Sequence, residues 1–171
     1  VNQWPEKELA LLIRNFGEEP QWKRAARMIV EARRASPLKT TKQLADVLEP
    51  LVPHYKRRIH PATLVFQALR IAVNDELDAL SKALPAAMEI MAPGGILAVI
   101  SFHSLEDRIV KEFFKDAASD KVSTSGIGGV FLDKEPTVRL LTRKPIVPTP
   151  EEQERNPRSR SAKLRAAEKL R

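Results

Sequence analysis

Ser101, His103, Glu106, Asp107 and Arg108 fall within eight consecutive residues, Ser101-Phe102-His103-Ser104-Leu105-Glu106-Asp107-Arg108. Hydroxyls, an imidazole, two carboxylates and a guanidinium at this density can hold a polar ligand. The stretch follows an apolar run of strand length, and in open α/β sheets ligands bind beyond the carboxyl ends of strands. The same residues also suit the start of a helix. Ser104 and Asp107 would satisfy backbone amides and Glu106 would answer the helix dipole, whereas no cap requires His103.

Two further groups carry candidate chemistry. In His60-Pro61-Ala62-Thr63, followed by Phe66, Gln67 and Arg70, the side chains of Thr63, Gln67 and Arg70 recur at helical spacing and share one polar face. Such a face can address a base edge or a phosphate, or it can be an ordinary wet surface. In Asn156-Pro157-Arg158-Ser159-Arg160-Ser161-Ala162-Lys163-Leu164-Arg165, cations alternate with small hydroxyl residues. That pattern suits phosphate contact or a frayed basic terminus.

Several chemistries are excluded. There is no Gly-x-Ser-x-Gly elbow for a serine hydrolase. His54, His60 and His103 lack metal-ligand spacing and no cysteine assists them, so no metal is expected. No Gly-x-Gly-x-x-Gly stands between a strand and a helix; Gly126, Gly128 and Gly129 lie in a loop ahead of an expected strand. No apolar run approaches the ~20 residues of a membrane span, so no membrane partner is expected.

The 171 residues carry a formal charge of +7, unevenly placed. Residues 1–58 hold twelve bases and seven acids, 59–116 five and eight, and 117–171 twelve and seven. Basic flanks around a mildly acidic centre suggest a surface that faces nucleic acid, although solvated helix faces give the same count. Lys23, Arg24 and Arg27 in the first flank and Arg158 and Arg160 in the second are the candidate contacts.

The elements that must position these groups can be read from apolar spacing. Leu9, Leu12, Ile13 and Phe16 mark a helix that opens at Pro5 and stops at Gly17. Trp22, Ala25, Ala26, Ile29 and Val30 mark a second. Thr40 and Gln43 have capping-box spacing for a third, with Leu44, Val47, Leu48 and Leu51 buried. Pro50, Pro53 and Lys56-Arg57-Arg58 read as a linker. Pro61 opens a fourth helix, and 75–91 form a fifth. After Pro93-Gly94-Gly95, the run Ile96–Ile100 predicts a strand buried on both faces of a parallel sheet, followed by another helix. Val138–Arg143 predicts a strand, and Ser161–Glu168 a last strand or helix. The chain begins at Val1 without an initiator Met and reads as a piece of a longer protein.

Taken in order, Arg58-Ile-His-Pro-Ala-Thr, Phe66-Gln-Ala-Leu-Arg-Ile, Ala92-Pro-Gly-Gly, Ser101-Phe-His-Ser-Leu-Glu-Asp-Arg-Ile-Val-Lys and Asn156-Pro-Arg-Ser-Arg-Ser-Ala-Lys-Leu-Arg closely resemble the RsmH (MraW) family. Val1-Asn2, Gly17-Glu18-Glu19 and Lys144-Pro-Ile-Val-Pro extend the likeness over nearly the whole chain. The resemblance implies an α/β fold: the C-terminal part of a Rossmann-like methyltransferase domain (58–171) plus a small all-helical inserted domain for RNA recognition (1–57). It implies S-adenosyl-L-methionine as cofactor and N4-methylation of a cytidine in small-subunit ribosomal RNA.

The family's Gly-rich cofactor loop and ribose-binding acid have no counterpart here, so the cofactor contacts are unassigned. Ser101, His103 and Asp107 become the catalytic candidates. His60, Thr63, Gln67, Arg70, Arg108, Lys23, Arg24, Arg27, Arg158 and Arg160 become the substrate-binding ones. The rival reading is a non-catalytic RNA- or ribosome-binding module. The expected compartment is the bacterial cytoplasm, or a chloroplast or mitochondrion for an organellar relative.

Overall fold

The computed structural model describes residues 1–52, 59–123 and 131–171. His54, the linker residues Pro53 and Lys56–Arg58, and the loop glycines Gly126, Gly128 and Gly129 lie outside the described residues. The chain is mixed α/β and forms two compact units, Val1–Glu76 and Leu77–Arg171.

The first unit contains α1 (Glu6–Gly17), α2 (Trp22–Ala35), α3 (Thr41–Leu48), a 3-10 turn (Glu49–Leu51) and α4 (Thr63–Asn74). Its core joins Leu9, Leu12 and Ile13 of α1 to Ala25, Ala26 and Ile29 of α2, Leu44 and Leu48 of α3, and Val65 and Ala68 of α4. Because α4 supplies part of that core, the unit runs past the boundary expected at residue 57. The capping box of α3 forms as the spacing predicts. Thr40 Oγ1 accepts from the Gln43 amide at 3.2 Å, and Gln43 Oε1 accepts from the Thr40 amide at 3.0 Å.

Gly17 has a different task from the stop signal expected of it. The left-handed residue that ends α1 is Glu18 (φ 52°), while Gly17 is the last helical residue. A Cβ on Gly17 would lie 2.5 Å from the Leu64 carbonyl oxygen. Gly17 is therefore the point where α1 and α4 meet backbone to backbone. Gln67 of α4 fastens the same place by donating to the Phe16 carbonyl at 3.1 Å.

The second unit holds most of α5 (Glu76–Ile90), then β1 (Ile96–Ser101), α6 (Ser104–Ala117), β2 (Lys121–Ser123), β3 (Phe131–Asp133), β4 (Val138–Leu140), α7 (Pro150–Arg155), a 3-10 turn (Pro157–Ser161) and β5 (Lys163–Lys169). The sheet has the order β1-β5-β4 and is antiparallel throughout, with Ile96 opposite Glu168 and Ser101 opposite Lys163. β2 and β3 form a separate antiparallel pair. The last element is thus a strand, and β4 is shorter than Val138–Arg143.

The expectation of a doubly buried parallel strand is corrected within the described residues. β1 is an antiparallel edge strand: Leu97, Val99 and Ser101 turn inward, while Ile96 and Ile100 are 61% and 58% exposed. Leu84 of α5, Val110 and Phe114 of α6, Val138 of β4 and Ala167 of β5 form the core against the inward face. Lys169 ties α5 to β5 by donating to the Met88 and Met91 carbonyls, both at 2.7 Å, where a helix end leaves carbonyls unpaired. Among the described residues no helix is long and apolar enough to cross a membrane.

The Gly17 contact generates a prediction. Alanine would favour the α1 helix by about 1 kcal/mol. The clash is with rigid backbone, however, so separation of α1 from α4 should dominate and Gly17→Ala should cost about 2 kcal/mol. Chemical denaturation checks this, and an unchanged or higher midpoint would show that the helices part without penalty.

Candidate functional site

The loop between β1 and α6 is fixed by its own side chains. His103 is extended (φ −141°, ψ 167°), and its Nδ1 accepts from the Glu106 amide at 3.3 Å. Glu106 Oε2 reaches back to accept from the amides of Phe102 at 2.8 Å and His103 at 3.2 Å. This is a reciprocal cap with histidine as the capping residue. The cap expected from Ser104 and Asp107 therefore lies one residue earlier, and the residue that no cap seemed to need is the cap itself.

The cap decides what His103 can offer. With Nδ1 accepting, a neutral imidazole carries its proton on Nε2, a tautomer that follows from the hydrogen-bond pattern. The His103 side chain is only 8% exposed, and Nε2 lies 3.3 Å from Glu106 Oε1. That approach lacks hydrogen-bond geometry, so Nε2 is a buried nitrogen without a hydrogen-bond partner among the described residues. Such atoms are rare in folded proteins.

Asp107 faces inward from the first turn of α6. Arg165 of β5 donates to both its oxygens, from Nε at 2.7 Å and from Nη2 at 3.2 Å, and Lys163 Nζ lies at 3.5 Å. The Arg165 hydrogen bonds hold the Asp107 carboxyl below the ordinary range, outweighing the opposing effect of burial. Asp107 is thus an anion held by Arg165 that positions α6 on β5. Ser101 is buried beside it and donates to the Lys163 carbonyl at 3.4 Å. The structure therefore gathers Ser101 and Asp107 around Lys163 and Arg165, and sets His103 in the adjoining loop. Glu106, expected to answer the helix dipole, closes the cap, and Arg165, expected only as one cation of the 156–165 stretch, holds Asp107 from an inward position of an alternating strand.

Most of the second constellation is spent on structure. Gln67 is committed to Phe16, and Arg70 pairs with both oxygens of Glu76 at 2.8 and 3.0 Å. His60 Nδ1 accepts from the Ala62 amide at 3.2 Å, and its Nε2 lies 3.3 Å from Glu49. Thr63 is exposed at the start of α4, and Arg108 is exposed on α6.

The basic candidates divide. Arg24 donates to the Pro50 and Leu51 carbonyls at 3.1 and 3.3 Å, closing the helical unit. Lys23 and Arg27 are exposed, as are Arg158 and Arg160 on the 3-10 turn. That turn is anchored by buried Ser159, whose hydroxyl donates to the Asn156 carbonyl at 2.8 Å.

Comparison with known proteins gives a consistent picture. A family model described as the MraW methylase family matches residues 1–170. A protein of Protochlamydia amoebophila named ribosomal RNA small subunit methyltransferase H is 52% identical, the alignment covering 99% of this chain and 54% of that protein. Proteins of the same name from Heliobacterium modesticaldum and Thermomicrobium roseum are 51% and 50% identical, over 100% and 99% of this chain and 55% and 52% of their own lengths. The chain therefore spans about half the length of these relatives.

Replacing Asp107 by Asn should cost about 3 kcal/mol, because it leaves the buried Arg165 charge without its anion. The sign with pH follows from the lowered carboxyl: the stabilisation is complete above the unfolded value near 4 and is lost as pH falls through the lower folded value. Denaturation midpoints at pH 7 and pH 3 should thus differ less in Asp107→Asn than in the parent chain. Equal acid sensitivity would mean that the pair contributes nothing.

Proposed function

Because the chain belongs to the MraW methylase family, we propose that it forms the base-facing and RNA-facing part of an S-adenosylmethionine-dependent enzyme that methylates N4 of a cytidine in small-subunit ribosomal RNA. The observation that carries this reading is the match, at about half identity over essentially the whole chain, to proteins named ribosomal RNA small subunit methyltransferase H. The exposed cations at both flanks support it. On this reading residues 1–57 belong to an inserted helical RNA-recognition domain with α4 packed into its core, the rest of 58–171 belongs to a Rossmann-like catalytic domain, and the site of action is the bacterial cytoplasm.

The residues of this chain do not by themselves fit the cofactor. The β1–α6 loop has no glycine, and its Phe102 and His103 amides are already taken by Glu106. Adenosine and methionine moieties need a Gly-rich turn for close backbone approach and an acid for the ribose hydroxyls. We assign those to the part of the family's chain that lies outside residues 1–171.

What this chain supplies is the holding of the base. The exocyclic amine of cytosine is a poor nucleophile because its lone pair is delocalised into the ring, so catalysis requires a flipped and tightly aligned base. His103 fixes the loop that borders that base, its own Nε2 being buried against Glu106. Its Nδ1 is occupied by the cap, and Asp107 is occupied by Arg165, so neither is a ready proton acceptor. We therefore assign Ser101 and His103 to base positioning and Asp107 to the support of their loop. The proton released from N4 passes to solvent.

Two measurements test the reading. In the complete protein, with small subunits and a labelled methyl donor, His103→Ala should lower methyl transfer about a hundredfold, as a misplaced reactant does. Its loss of stability should stay near the ~1 kcal/mol of a helix cap. Unchanged turnover would leave His103 only its capping role, and no transfer by the parent protein would favour the non-catalytic RNA-binding module. Calorimetry on residues 1–171 alone should show no micromolar binding of S-adenosylmethionine; such binding would overturn the assignment of the cofactor cradle to the rest of the chain.

A further inference from the structure

Trp22 opens α2 beside a cleft of about 470 Å³ between α1 and α2, bordered by Lys7, Leu11, Lys23 and Arg27. The ring is only partly buried, packed against the helical core on one side. Two cations from different helices converge on it: the Arg14 guanidinium 5.4 Å and the Lys23 ammonium 5.0 Å from the ring centre. Three basic side chains, Lys7, Lys23 and Arg27, thus border an aromatic and aliphatic surface, and the one carboxylate in the lining is Glu6. Glu6 approaches Arg27 only to 4.0 Å with both side chains well exposed, a pair worth little in water.

We propose that this cleft binds one nucleotide of single-stranded RNA, its base on Trp22 and its phosphates between Lys23, Arg27 and Lys7. The inference rests on the RNA-directed reading above and gives it a definite place. Three cations held together around an apolar surface repel one another, and the complementary partner is a polyanion that also has an apolar face. A nucleotide combines the two, since every base stacks on an aromatic ring and its phosphates neutralise ammonium and guanidinium groups. The neighbouring Arg24 shows the contrast: it spends its donors on the Pro50 and Leu51 carbonyls and leaves the RNA-facing work to Lys23 and Arg27. The volume lies within the range that encloses a small ligand.

The test uses the complete protein and a fluorescein-labelled single-stranded oligoribonucleotide of mixed sequence, followed by anisotropy across a salt series. Trp22→Leu should weaken binding about tenfold and leave the salt slope unchanged, while Trp22→Phe retains most of the affinity. Lys23→Gln and Arg27→Gln should each flatten the slope of log affinity against log salt by about 0.7. Should Trp22→Leu fail to fold, the two charge-removing variants decide the matter alone. Wild-type binding with all variants unaffected would overturn the cleft and leave the enzymatic reading standing. Absence of RNA binding by the wild type would overturn both.

Discussion

Arg165 lies in the middle of β5 with its guanidinium turned toward α6, and Asp107 meets it with both oxygens. An arginine at 7% exposure in a small sheet is tolerable only with an anion in this geometry, since an unpaired buried charge costs several kcal/mol. The partner cannot be supplied by β5 itself, so the first turn of α6 must sit over that strand. Once it does, the residues just before it are fixed: Ser101 ends β1 opposite Lys163, and His103 and Glu106 close the intervening turn on themselves. The placement of the His103 ring is thus a consequence of the ion pair that holds α6, the helix it caps, on β5.

A parallel economy governs the helical unit. Polar residues that look functional by type are used to join helix ends to carbonyls: Gln67 to Phe16, Gln21 and Arg24 to Leu51, Arg24 also to Pro50. Helix ends leave backbone groups without partners, and a unit of this size has little apolar core to offset such losses. Side chains long enough to reach across are therefore drawn into structural service. Lys23 and Arg27 stay outward, with the Trp22 ring partly buried between them and the core.

This explains which parts were legible in the sequence. Helices α1 to α6 follow apolar spacing, and the Thr40–Gln43 cap follows a local rule, so both can be read from short stretches. The boundary of the first unit cannot, because it depends on α4 returning to α1, and nothing in residues 58–76 alone announces that contact. Gly17 is visible as a break, but its reason lies at Leu64, forty-seven positions away in sequence. Histidine is an unusual helix cap, so His103 drew attention for chemistry first and for capping not at all, and the cap is what the structure shows. The fate of Asp107 turns on Arg165, a pairing between residues fifty-eight positions apart that no motif encodes.

The apolar run Ile96–Ile100 carries the remaining information. Its composition asks for two covered faces, and the described residues cover one. Ile96 and Ile100 stay largely exposed, Phe102 just beyond them is 53% exposed, and one edge of β1 has no strand beside it among the described residues. Burying such side chains is worth about 1.5–3 kcal/mol each, and an open apolar edge invites pairing with another chain. A strand patterned in this way carries more apolar surface than the sheet of the described residues covers. On the proposed reading, what lies against β1 is the cofactor-holding part of the family's chain. The same strand ends in the loop that carries His103, so covering its apolar face and walling the base pocket become one packing event. Cofactor and base would then meet at the end of β1, where neither part of the chain makes the site alone.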